Sequence, residues 1–154
     1  MTAQFSNQNK KTIASALNRL LATEFALYTK TLNFHWNVVG KWFGPLHTLF
    51  NNQYESLQDI IDLVAERIRA LDHNALGTMT EYIQMMAIEE KPNMYPDDIS
   101  MLKQLVQDHD VVIGLLRTIT ELAHENHDAG TENMTAGLLE THEKMNWMLK
   151  SHLL

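Results

Sequence analysis

The sequence predicts an all-α protein: a four-helix bundle whose long middle crossover contains a short extra helix. Three observations predict it. Apolar residues recur at three- and four-residue steps through four separate stretches, the period of helices with one buried face. No stretch of any length alternates apolar and polar residues as a half-buried strand does. Residues 72–97 break the helical period with Gly77, Pro92 and Pro96, over a length unusual between neighbouring helices. Such a connection can carry the chain from one end of a bundle to the other.

Each element has its own warrant. Residues 1–8 are polar and read as a loose tail. A first helix then runs to about Phe34 on the stripe Ile13, Leu17, Leu20, Leu21, Leu27 and Phe34. Glu24 interrupts that stripe, as a residue that snorkels or pairs. Asn37 to Gly44 is a turn, and Pro45 suits the first position of a second helix. That helix runs to about Leu71 and buries Leu46, Phe50, Leu57, Ile61, Val64 and Ile68. Within the crossover, EYIQMMAIEE reads as a short helix. Asp97 or Asp98 can cap a third long helix, which buries Ile99, Leu102, Leu105, Val106, Ile113, Leu116, Ile119 and Leu122. Asp128 to Thr131 is a turn around Gly130, and Thr131 can cap a last helix through Met134, Leu138, Met145 and Leu149.

At 154 residues the expectation is one domain, 1–154, with a real core. Nineteen acidic against twelve basic side chains leave a net charge of −7. That balance disfavours non-specific nucleic-acid binding, which needs a basic footprint, and favours drawing in cations. The absence of cysteine excludes disulfides and thiolate metal sites. The first residues, MTAQFSNQNKK, hold no apolar leader, and no apolar run is long enough to span a membrane. The expected location is therefore the cytoplasm.

Residues 35–66 carry the chemistry. His35, His47, Asp59, Asp62 and Glu66 fall within this stretch. Asp62 and Glu66 are four apart and share a helix face. A reversal near Gly40 to Gly44 brings His35 level with His47 on an antiparallel neighbour. Imidazole with carboxylate oxygen suits divalent iron, manganese or zinc better than calcium. Yet His47 and Asp62 lie fifteen residues apart on one helix, roughly 22 Å along its axis. They occupy nearly the same stripe, offset by only about 60°. A second copy of the helix, antiparallel about a two-fold near residues 54–56, would lay His47 of one chain beside Asp62 of the other. The plainer alternative is a helix hairpin with scattered polar residues.

The string HWNVVGKWFGPLHTLFNNQY, followed by DLVAERI, resembles the signature of the Dps family, the bacterial mini-ferritins. The likeness runs from about Leu17 to Leu149. It implies a ferritin-like four-helix bundle, a dodecameric shell built from two-fold dimers, and oxidation of Fe²⁺ with hydrogen peroxide as the preferred oxidant. Ferric mineral would be stored inside, protecting against oxidative stress. The family's ferroxidase ligands fall on His35, His47, Asp62 and Glu66, a site able to hold two irons. A further family carboxylate often stands where this chain has Asn51, which leaves one position with a neutral oxygen or a water. Trp36 matches a tryptophan thought to intercept stray oxidising equivalents, although a tryptophan at a helix end also simply packs. Asp128 and Glu132 match acidic residues of three-fold pores, and carboxylates are favourable at a helix start in any case.

Another reading is a DNA-condensing nucleoid protein with minor iron chemistry. Family members that bind DNA often use lysine-rich tails. Here the ends offer Lys10, Lys11 and Lys150, too few to neutralise many phosphates. A third reading is an acidic helical interaction protein without catalysis. Glu121 and His124 form a single Glu-x-x-His element where a di-iron bundle uses two, and read as a surface pair. His109, His142 and His152 read as packing or surface residues, and the nine methionines as core filler.

Overall fold

The computed structural model describes residues 5–154. Four long helices and one short one follow each other: α1 (Asn7–Asn37), α2 (Phe43–Ala70), α3 (Met79–Met85), α4 (Asp98–Glu125) and α5 (Ala129–Ser151). No strand occurs among the described residues. No helix there is long and apolar enough to cross a membrane.

Local chemistry moves several expected boundaries. The N-terminal tail is shorter than expected, because the Ser6 side chain accepts from the Asn9 N–H and starts α1 at Asn7. Residues 1–4 of that expected tail lie outside the described residues. The second helix starts at Phe43 with Trp42 as its cap, so Pro45 is its third residue rather than its first. Proline is still harmless there, because the first-turn N–H groups have no intrahelical partner. The short helix begins earlier than expected, at Met79, because Thr78 caps it by accepting from the Glu81 N–H, and it ends at Met85, so residues 86–90 of the expected helix lie outside it. Glu81 Oε2 in turn accepts from the Gly77 N–H. The α4 cap is Asp97, accepting from Ser100. The last helix is capped by Asp128, and Thr131 is the residue whose N–H that carboxylate receives. Ile99, expected in the buried stripe of α4, sits in its first turn and is 41% exposed.

α1 packs along α2 and α4 along α5, while α1 also packs on α4 and carries α3 on its flank. The crossover between α2 and α4 allows this arrangement. The core between the helices holds Leu17, Leu20, Leu27 and Phe34 of α1 with Phe50, Leu57, Val64 and Ile68 of α2. Leu105, Val112 and Leu116 of α4 and Leu138, Met145 and Leu149 of α5 complete it.

The core is not wholly apolar. Glu24 of α1 is fully buried, and its Oε1 lies 2.7 Å from His142 Nε2 of α5. His142 Nδ1 lies 3.0 Å from His109 Nδ1 of α4, and both rings are fully buried. One turn further along α5, Gln53 of α2 donates to the Met145 carbonyl. Glu24 therefore pairs, and two histidines read as packing residues form one buried chain with it. Nearer the surface, Lys30 holds Asp108 at 2.7 Å. Burial pushes the Asp108 carboxyl up, and the Lys30 ammonium pulls it back. At the start of α5, Arg67 reaches Asp128 at 2.6 Å and Thr131 at 2.9 Å. Gly130 permits this approach, because a Cβ there would stand 2.8 Å from the guanidinium.

Candidate metal centre

The chain reverses between α1 and α2 over Val38 to Trp42, with Gly40 at φ +115°, a conformation that favours glycine. The reversal sets the last turn of α1 beside the second turn of α2. There the His35 Nδ1–H donates to the His47 carbonyl at 2.8 Å, and the His47 Nδ1–H donates to the His35 carbonyl at 2.8 Å. A carbonyl only accepts, so Nδ1 carries the proton in both rings. In the neutral ring that leaves Nε2 as a bare lone pair, the form that binds metal.

The two rings stack at 3.8 Å between centroids and 16° between planes. A ring lone pair lies in its ring plane. Two nearly parallel planes do not meet near the rings, so the imidazoles serve two adjacent positions better than one ion. Phe43 stacks on the far side of His47 at 5.0 Å, and Tyr54 meets His35 edge-on at 5.2 Å. These aromatics hold the ring orientations. The Tyr54 phenol donates to Asn51 Oδ1 at 2.9 Å. Asn51 thus stands one turn after His47, with its oxygen engaged by a phenol.

The structure brings His35 and His47 together and does not bring Asp62 and Glu66 to them. Both carboxylates are exposed on α2, four residues apart and several turns beyond His47. Among the described residues of one chain, no three His, Asp or Glu side chains converge on an ion. Trp36, next to His35, is 66% exposed. Asp128 is buried in its pair with Arg67 and in the α5 cap. Glu132 is accessible and accepts from His124 at 3.1 Å. Glu132 and His124 line a surface cleft with Glu121 and Glu125. Sequence reasoning missed Phe43 and Tyr54. Their signal was present, since they stand four before and seven after His47, on the same helical stripe.

The ferritin-like domain model matches residues 14–154. The DNA protection during starvation protein 2 of Bacillus anthracis is 32% identical over 144 residues, covering 93% of this chain and 97% of that one. This chain belongs to the Dps family. An uncharacterized low temperature-induced protein of a Nostoc strain is 36% identical over 149 residues, covering 96% of this chain and 83% of its own. The Dps protein of Vibrio cholerae O1 superposes with a TM-score of 0.93 at 32% identity, covering 100% of this chain and 96% of that one. It is described as a member of a broad superfamily of ferritin-like diiron-carboxylate proteins. Within this Dps-family chain the two stacked histidines lie at the α1–α2 turn, and the exposed carboxylates lie farther along α2.

Proposed function

We propose that this Dps-family chain assembles with copies of itself into a hollow dodecameric shell that oxidises Fe²⁺ and stores the ferric product, with hydrogen peroxide as oxidant. The observation that carries this reading is the His35–His47 pair, whose reciprocal bonds to backbone carbonyls fix both tautomers and leave both Nε2 atoms free. Neutral imidazoles together with carboxylates make a donor set suited to Fe²⁺. A single chain provides only the imidazole half. The carboxylate half is Asp62 and Glu66 of a two-fold partner, brought level with the histidines by antiparallel pairing of α2. Their negative charge favours the ferric product, because the added positive charge forms beside them. Each stacked imidazole would hold its own iron, with the partner's Glu66 able to bridge the two. Glu132 guides iron toward the shell, while Asp128 shapes the helix end beside it.

The test is a crystal soaked in Fe²⁺, paired with stopped-flow ferric absorbance. Iron held by His35 and His47 of one chain and Asp62 and Glu66 of another is the expected outcome. Iron held within one chain, or no iron there at all, would reject the shared centre. DNA binding is proposed to be weak. Of the lysines near the ends, Lys10 is paired with Asp72 at 2.6 Å and Lys150 lies 3.5 Å from Asp110. A gel shift at about 0.15 M salt, where charges act over only about 8 Å, should show free duplex. Tight retention would favour the DNA-condensing reading instead.

A further inference from the structure

Asn51 stands four residues after His47 on α2, so the two side chains share a helix face. Its amide is held in one orientation. The Tyr54 phenol donates to Asn51 Oδ1 at 2.9 Å. The Tyr54 ring is fixed in turn, edge-on to His35 at 5.2 Å and to Tyr28 of α1 at 6.2 Å. Such contacts are the ordinary preference of packed aromatics. Packing does not explain the Tyr54 hydroxyl, because phenylalanine would fill that position equally well. What the hydroxyl adds is the bond to Asn51. An amide has one acceptor end and one donor end. Fixing Oδ1 on the phenol therefore turns the NH₂ group away from Tyr54. Among the described residues nothing accepts from that NH₂ group, and Asn51 is only half-buried. Two N–H donors are thus left open one turn from a proposed iron ligand.

To a cation Asn51 offers little, a neutral oxygen with one lone pair already engaged. To an oxygen that gains negative charge it offers two oriented donors. We propose that Asn51 binds and orients hydrogen peroxide at this centre, with Tyr54 as its positioning residue, and so favours peroxide over dioxygen as oxidant. This rests on the iron-and-peroxide reading above. Donors aimed in advance at developing charge stabilise it with no reorganisation at the moment of reaction. Neutral dioxygen is a poor hydrogen-bond acceptor on arrival, so the same donors do less for it. An ionised carboxylate of the same shape would act the other way. It has no hydrogen to donate, and it draws in iron while repelling charge that gathers on the oxidant. Residue 51 therefore sets the balance between holding iron and holding peroxide.

The electron count shows when the amide acts. Each peroxide takes two electrons, one from each of two Fe²⁺, as its O–O bond breaks. The two oxygens leave as two waters, carrying the two peroxide hydrogens and two protons from solvent. Asn51 lends hydrogen bonds and keeps its own hydrogens, and the Tyr54 phenol keeps its proton. Negative charge on the oxygens is greatest after the electrons arrive and before the solvent protons do. The oriented N–H groups act at that point.

The test is stopped-flow ferric absorbance on the assembled protein, with Fe²⁺ fixed at two per centre. Peroxide is varied in the absence of oxygen, and dioxygen is varied in parallel. Asn51→Asp decides, because it keeps the shape and the acceptor for Tyr54 while removing both donors. The peroxide concentration giving half-maximal rate should rise about tenfold or more, the worth of a hydrogen bond to a charged oxygen. The rate at saturating peroxide and the rate with dioxygen should instead rise modestly, because the added charge draws iron in. Asn51→Ala should reproduce the peroxide shift without the faster dioxygen reaction, which separates the lost donors from the gained charge. Tyr54→Phe leaves the amide free to turn and should shift the peroxide requirement the same way by a smaller factor. An unchanged peroxide requirement in Asn51→Asp and Asn51→Ala would overturn the proposal. So would an equal loss with both oxidants, which a merely structural fault produces. If the unmodified protein forms no ferric product with peroxide, the iron reading itself fails. If it does and the Asn51 variants match it, only the role of Asn51 fails.

Discussion

Two histidine pairs stand on this bundle, one at its end and one in its middle, and their partners differ. His35 and His47 spend Nδ1 on backbone carbonyls, which keeps Nε2 bare. His109 and His142 spend Nδ1 on each other, and His142 spends Nε2 on Glu24. The end pair is stacked and close to the surface; the middle pair is fully buried. A histidine bonded to the backbone keeps a lone pair for an ion, whereas His142, inserted into a side-chain network, gives both nitrogens to the fold. The same residue type thus serves as candidate ligand in one place and as structural polar group in the other. The end pair stays ready for an ion because α1 and α2 reverse tightly enough for each ring to reach the other's carbonyl.

The sharpest way to break that comparison is to remove one member from each region. Asp62→Ala or His47→Ala should nearly abolish the early phase of peroxide-driven iron oxidation in stopped-flow absorbance, with thermal unfolding little changed. His142→Ala should do the reverse. Removing one partner of a buried pair leaves the other charged or unpaired, at about 3–5 kcal/mol. Denaturant unfolding at fixed protein concentration should show the loss, while iron oxidation survives wherever the shell survives. If His142→Ala stops iron oxidation in a shell that remains folded, the division between the two regions is wrong.

A smaller effect follows from acidity. Burial, and then the neighbouring His142, hold His109 well below the ordinary histidine value of 6.5. Between its folded and unfolded values the unfolded chain binds the extra proton. Stability from this group is therefore complete above 6.5 and is lost as pH falls below it toward the folded value. Melting temperature measured from about pH 8 down to about pH 5, a range in which only histidine among unperturbed side chains titrates, should fall on the acid side. His109→Phe should flatten that fall. Asp108 acts with the opposite sign: its raised carboxyl stabilises below 3.8, and that contribution is lost as pH rises. Its window opens beneath that of His109, so a drop beginning near 6.5 belongs to histidine.

The fold was legible because helical periodicity and the interrupted crossover are one-dimensional signals. The stripes of α1 and α2 read correctly for that reason, and the cap of α4 fell on Asp97, one of the two aspartates expected to supply it. Helix starts were harder. Whether Thr131 caps or is capped depends on Asp128, which also binds Arg67 from sixty-one residues earlier in the chain. His35 and His47 could be brought level from the turn alone. Their reciprocal carbonyl bonds could not, since they depend on the angle between α1 and α2. The Glu24–His142 pair joins residues 118 apart in the chain. Local spacing carries no trace of such a contact, so the sequence showed only that Glu24 interrupts an apolar stripe.

The smallest expected effect concerns Asn51 and inverts the comparison. In the middle of the bundle a carboxylate, Glu24, serves a histidine that no ion reaches. At the end of the bundle Asn51 offers only an amide oxygen beside a histidine proposed to hold iron. Asn51→Asp restores a charge there. The new carboxylate can still accept from the Tyr54 phenol, as Asn51 Oδ1 does at 2.9 Å, so local packing should hold. A hard cation gains from each added anionic oxygen. Iron titration by calorimetry should therefore show the second position filling at lower iron, and the first turnover should quicken modestly. If stoichiometry and rate both stay unchanged, charge at residue 51 does not limit the centre, and its second position is completed by another ligand.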